Sequence, residues 1–159
     1  MARLLLILLT VLGLAVGCGG SEQAPPEAGA RVAGPDTMLK KVLTHHFRGS
    51  YRLAYDSLHP EHQALVTRDN YAYCLKRVLV TTLKVGAIKT VRIADRPLYR
   101  TGIPERSSKA VTLRITALAG KMRDSWQQTF QAVRVAGRWA WILPDGDVED
   151  YASGRCPAA

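Results

Sequence analysis

Distinct patterns of hydrophobic and polar positions follow one another along the chain. The first is an apolar run from Leu4 to Val16, preceded by Arg3 and closed at Gly17-Cys18. As a helix the run would span only about 20 Å, short of the roughly 30 Å core of a bilayer. It therefore predicts a secretory leader that is removed, not a membrane span. The next segment, "GGSEQAPPEAGARVAGP", has Val32 as its only sizeable aliphatic and cannot bury enough apolar surface to offset the entropy of ordering it. It predicts a flexible tether.

Helical spacing begins after Pro35. Met38, Leu39, Val42, Leu43, His46 and Phe47 recur at the helical period, with Asp36 or Thr37 as the expected cap and Arg48-Gly49 as the stop. Ser50 is expected to cap a short second helix carrying Tyr51, Tyr55 and Leu58 on one face. His59-Pro60 interrupts it, with Pro60 placed to begin the next turn. A further helix starts at Thr67 or Asp69, its inner face reading Tyr71, Cys74, Leu75, Val78 and Leu79.

From Leu83 the period changes. "VGAIKTVRIAD" is rich in β-branched residues, and "KAVTLRITALAG" alternates Val111, Leu113, Ile115 and Ala117 against Thr112, Arg114 and Thr116, the mark of a strand with one wet face. Between them "RPLYRTGIPERSS" reads as a loop. "SWQQTFQAVRVAGRWAWIL" predicts two strands joined at Ala136-Gly137, with Trp139 and Trp141 on one face. The sum is an α+β domain with three N-terminal helices packed on a curved antiparallel sheet of about four strands. The expected boundaries are a leader over 1–17, a lipidated cysteine and tether over 18–35, and one folded domain over 36–159.

Composition sharpens the address. Ala15-Val16-Gly17-Cys18 resembles a bacterial lipoprotein signal, in which the cysteine is acylated and becomes the first residue. Ala15 stands where that pattern most often has Leu. The resemblance implies palmitate-type chains on Cys18, each buried methylene contributing about 0.8 kcal/mol to membrane binding. It also implies an exported protein anchored to a bacterial membrane and facing the periplasm or cell exterior. With Cys18 acylated, Cys74 and Cys156 remain as an even pair in an oxidising compartment and are expected to form a disulfide.

The formal charge of +9 favours acidic partners such as anionic lipid or wall polymers. The positive residues are spread over helices and strands, and a solvated basic surface that keeps the protein soluble is the first explanation of the charge. Nucleic acid is a poorer fit for an exported chain, and would require the cations to share one face and binding to weaken steeply with salt.

The order helix, Gly-Ser break, short helix ending in "LHPE", third helix and long strands resembles the nuclear transport factor 2-like (cystatin-like) superfamily. "FRGSYRLAYDSLHPE" and "GRWAWIL" carry the likeness over residues 36 to 143. It implies a sheet bent around a conical pocket, in a superfamily that ranges from isomerases and cyclases to binding domains, so fold alone does not select a function. An isomerase of this kind would need a carboxyl group in a dry pocket. Asp56, Tyr55 and Asp95 are the available types, but Tyr55 and Asp56 diverge by about 100° on a helix and Asp95 lies at a strand end. His59 and His62 are three apart beside a proline, and His45-His46 adds two more imidazoles, without the converging set that zinc requires. A cap and a solvated turn residue are the expected roles of His59 and His62. No cofactor motif is present in the chain.

Tyr51, Tyr55, Trp126 and Trp141 are the candidate ligand-binding residues, since aromatics around such a pocket would suit an apolar ligand. Core packing is the competing role for the same rings. The sequence thus predicts a non-catalytic, lipid-anchored envelope domain that binds a small apolar ligand, a protein partner or a wall polymer. A small isomerase or cyclase-like enzyme using the same pocket is the alternative.

Overall fold

The computed structural model describes residues 33–78, 84–100 and 102–158. The leader, Cys18, nearly all of the tether, and Leu79 and Leu83 lie outside the described residues.

Helix α1 (Pro35–Phe47) begins with Pro35 in its first turn, where a missing N–H removes no helical bond, and buries Leu39, Val42 and Leu43. The expected cap is corrected: Gly34 occupies that position and no side chain caps the helix. Asp36 instead accepts hydrogen bonds from Lys40 Nζ at 3.1 Å and Thr90 Oγ1 at 2.8 Å, tying the helix to the sheet. Gly49, at φ 69°, follows the helix end. Helix α2 (Tyr51–Tyr55) buries Tyr51 and Ala54, and Ser50 makes no capping bond.

The N-terminal part contains four helices where three were expected. The turn at Pro60 continues as α3 (Pro60–Leu65), because Pro60 sets the first helical φ and His59 Nδ1 accepts from the Glu61 amide at 3.2 Å. Helix α4 (Arg68–Val78) follows, with Thr67 Oγ1 accepting from the Asn70 amide at 3.2 Å. A short C-terminal helix α5 (Asp145–Ala152) was not expected from its acidic, apolar-poor sequence. It holds because Tyr151 is buried in the main core and Val148 packs against it. Cys156, just beyond its end, is joined to Cys74 by a disulfide.

Strands β1 (Lys84–Pro97), β2 (Ser107–Ala119), β3 (Met122–Val135) and β4 (Arg138–Trp141) form one antiparallel sheet in chain order. The class is therefore α+β. The β3–β4 turn has Ala136 and Gly137 both at positive φ, 46° and 80°, the conformation that matches the right-handed twist of a two-residue hairpin. β3 starts at Met122, earlier than "SWQQTF", because Gly120 at φ 60° closes a two-residue turn with Ala119 paired to Met122.

The sheet has two unlike faces. Val111, Leu113, Ile115, Ala132 and Trp141 enter the main core with the helices. On the opposite face, Leu98, Ile103, Val133, Ala140 and Ile142 form a small second core at one end, covered by the β1–β2 loop. Arg100 fastens that loop by donating to the Leu143 carbonyl and pairing with Asp145 at 3.2 Å.

Candidate functional site

The remainder of the helix-free face is where charge accumulates. Antiparallel partners share a face, so the pairing assigns each strand residue to one side. Lys84, Lys89, Arg92 and Arg96 of β1 oppose Leu118, Arg114, Thr112 and Ser108 of β2. Arg114 in turn opposes Gln127, and Leu118 opposes Arg123 of β3. All six cations are exposed. Thr90 and Trp126, which reach Asp36 and Phe47 of α1, belong to the other side. So do Asp95 and Asp124, leaving no carboxylate at the paired positions of the cationic face.

Two irregularities in β1 create this alignment. Lys84 and Lys89 are five apart and Lys89 and Arg92 three apart, spacings that would put each pair on opposite faces of a regular strand. The register shifts at Gly86 and at Val91 each insert one extra residue and restore the same side. Strands lie about 4.8 Å apart and same-face neighbours along a strand about 6.7 Å, so the face is roughly 10 Å wide across β1–β3. Hydroxyl pairs floor it: Thr112 and Thr129 at 2.8 Å, and Thr116 and Ser125 at 2.8 Å. Among the described residues none of the six cations pairs with a carboxylate, whereas Lys40, Arg52, Arg68, Arg100, Lys109 and Arg155 all do. The spread of charge expected from the sequence thus resolves into one uncompensated patch.

Two clefts lie elsewhere. One of about 540 Å³, at α2 and α4, is lined by Ser50, Arg52, Leu53, Asp69, Tyr73 and Lys76, and the Arg52–Asp69 pair at 2.8 Å joins its two helices. A hollow of about 180 Å³ is lined by Asp95, Glu105, Lys109, Arg134 and Trp139. Its charged groups are largely engaged: Asp95 with Lys109 at 2.6 Å, and Glu105 Oε2 with His59 Nε2 at 3.1 Å.

His46, His59 and His62 are held by hydrogen bonds within the fold, and His59 and His62 are buried, which corrects the expectation of a solvated turn. His59 Nδ1 accepts a backbone bond, so its Nε2 carries the proton that it donates to Glu105. His62 Nδ1 accepts from the Leu143 amide at 3.0 Å. Burial, reinforced by His59 and Arg100, pushes His62 down to about 4. His46 Nε2 bonds the Tyr71 hydroxyl at 2.8 Å, and burial holds its imidazole down to about 4. Among the described residues no group of His, Cys, Asp and Glu converges to hold a metal.

Of the residues proposed to bind a ligand, Tyr51 and Trp141 are buried core residues, and Trp141 Nε1 donates to the Ala54 carbonyl at 3.4 Å. The Tyr55 hydroxyl donates toward the Gln63 and Val66 carbonyls, each at 3.0 Å. Trp126 packs on Phe47 with ring centroids 6.4 Å apart. These four rings are held by packing and backbone bonds, and only Tyr51 borders either cleft. Asp56 is exposed and pairs with Arg68 at 2.6 Å. The sequence reading missed Asp147 on α5. Burial and then the Asp150 charge raise its pKa. Tyr71 is pushed well up by burial with a smaller push from the Tyr151 and Asp147 charges, and Tyr151 goes up to about 12 by burial with Asp147 adding to it. Three acidic residues around Tyr151, "DVEDY", were the available signal.

No family model matches the chain, and no curated protein matches it.

Proposed function

We propose that the chain is an exported, lipid-anchored, non-catalytic envelope domain that binds a polyanion through the helix-free face of its sheet. The observation that carries the reading is the six cations sharing that face, with no ion-pair partner and no carboxylate at the paired positions among the described residues. Each Lys or Arg near an anionic surface contributes about 1 kcal/mol, so a patch of this size supports binding of useful strength. The Cys74–Cys156 disulfide suits an oxidising compartment. The leader and Cys18 supply the route and the anchor. Nucleic acid is a poorer partner, because no aromatic ring stands at the paired positions of this face to stack a base.

The nuclear transport factor 2-like design is part of the same proposal. Its support is the order of helices before sheet and the two register shifts of β1, since bulges bend and twist a strand. A small apolar ligand within the cone has less support, because Tyr51 and Trp141 are already packed.

The second reading, a small isomerase or cyclase, draws on one observation. Asp147 is a part-buried carboxyl with a raised pKa, and its charge acts on Tyr71 and Tyr151. Those two tyrosines are 1% and 5% exposed, so a substrate would need space that the packing does not provide. Retention of the full chain on immobilised polyphosphate, lost in Lys89→Glu/Arg114→Glu, tests the first reading. Unchanged retention in that variant would refute it. Intact mass of membrane-extracted protein tests the anchor: a chain starting at Cys18 and carrying acyl groups supports it, and an unprocessed chain excludes it.

A further inference from the structure

The cationic face is long and narrow, and it tapers. Lys84 opposes Leu118 and Arg96 opposes Ser108, ten β2 residues away, so at about 3.4 Å per residue the two ends lie about 34 Å apart. Four of the six cations, Lys84, Lys89, Arg92 and Arg96, stand on β1 alone. At the Lys84 end the face is open across three strands, through Leu118 to Arg123. At the Arg96 end it is open only on β1. Ser108 and Val133, each next to the Lys109–Ala132 pair, are 4% and 0% exposed, and Leu98 and Ile103 of the β1–β2 loop pack over Val133. A flat anionic surface laid on the sheet would meet that loop before it met Arg96. A compact anion would reach the middle of the face and leave both ends unused. In that middle Lys89 opposes Arg114, and Arg92 is the next β1 residue on the same face, with Thr112 opposite it. The Thr112–Thr129 hydroxyl pair uses one of its two O–H donors in its own bond. Several donors around one point suit a phosphate, which offers more acceptor oxygens than a carboxylate.

We propose that the polyanion is a single extended phosphate-bearing chain laid lengthwise along β1. Its middle sits on Lys89, Arg92 and Arg114, and its two arms run past the β1–β2 loop at Arg96 and over Lys84. This rests on the polyanion-binding reading of the same face and adds the shape of the ligand and its charged group. The taper selects a chain over a flat surface, and the 34 Å line of β1 cations selects it over a compact anion.

The test compares three ligands on the full chain at several salt concentrations: linear polyphosphate of about sixty units, inositol hexakisphosphate, and poly-glutamate of similar length. Beside the parent runs Lys84→Gln/Arg96→Gln, which removes the charges at the two exposed ends of the face. For polyphosphate the logarithm of the binding constant should fall with that of salt at a slope of about −4 to −5. For the compact hexakisphosphate the slope should be about −2 to −3, the yield of three cations. The end variant should bind polyphosphate about tenfold or more weakly, and hexakisphosphate within about twofold of the parent. A compact anion that matches the long chain in slope would overturn the lengthwise track and leave polyanion binding standing. So would an end variant that weakens both phosphate ligands equally, or neither. Poly-glutamate bound as tightly as polyphosphate would overturn the phosphate assignment. Binding of none of the three would overturn the polyanion reading as well.

Discussion

Lys89 of β1 stands directly opposite Arg114 of β2 on the helix-free face of the sheet. Cβ atoms of opposed residues are about 5 Å apart, and like charges so placed destabilise a strand pair. A fold under no other demand would place a carboxylate at one of the two positions, as it does where Asp95 opposes Lys109. The repulsion is consistent with a face kept basic for binding.

Lys89→Glu is accordingly expected to stabilise the domain by about 0.5 to 1 kcal/mol while weakening polyanion binding. Salt should raise the melting temperature of the parent and leave the variant nearly flat, because screening relieves the like-charge contact. Thermal melts at low and high salt check this, and a variant less stable than its parent would contradict it.

The two register shifts of β1 explain why this face was illegible in the sequence. Alternation exposed β2 directly, through Val111, Leu113, Ile115 and Ala117, and Ala136-Gly137 marked the hairpin that the structure contains. Single-strand alternation cannot show that Gly86 and Val91 are extra residues, so Lys84, Lys89 and Arg92 read as scattered. The α5 helix escaped for a different reason. Its stability comes from Tyr151 meeting a core built by distant segments, which local pattern does not carry.

Opening the Cys74–Cys156 bridge should cost about 4.5 kcal/mol on the chain-entropy model, given its separation of 82 residues. Urea unfolding with and without reductant measures the loss. Cys156→Ser should reproduce it, and α5 should lose amide protection first, since Cys156 ties the chain just beyond that helix to α4. Equal midpoints in both redox states would show that the bridge adds nothing.

Acid should unfold the domain through its histidines. His46 and His62 are held down to about 4 by burial, against about 6.5 in the unfolded chain. The unfolded state therefore takes up protons first, so the stability from each is fully present above pH 6.5 and is lost as pH falls from 6.5 to 4. Each contributes at most roughly 3 kcal/mol. Asp147, with its raised pKa, acts in the opposite direction and offsets a part. Unfolding free energies of the parent and of His46→Gln/His62→Gln, measured between neutral pH and pH 4, should show a flatter slope in the variant. An unchanged slope would assign acid sensitivity to other groups.

Ala136 holds a positive φ of 46°, a conformation that costs a residue with a Cβ about 1 kcal/mol and that Gly or Asn adopts readily. Ala136→Asn should raise the melting temperature by several degrees and leave polyanion binding untouched. A fall in stability would mean that the turn does not keep this conformation in solution.

The most direct measurement of the central claim is a salt titration of polyphosphate binding by the full protein, beside a Lys89→Glu/Arg92→Glu/Arg114→Glu variant. The account predicts that the logarithm of the binding constant falls linearly with the logarithm of salt, with a slope of about −4 to −5 if the six cations are engaged. The variant should lose measurable binding while its melting temperature stays equal or rises. Binding that ignores salt, or that survives the triple reversal, would contradict the assignment of the sheet face as the site.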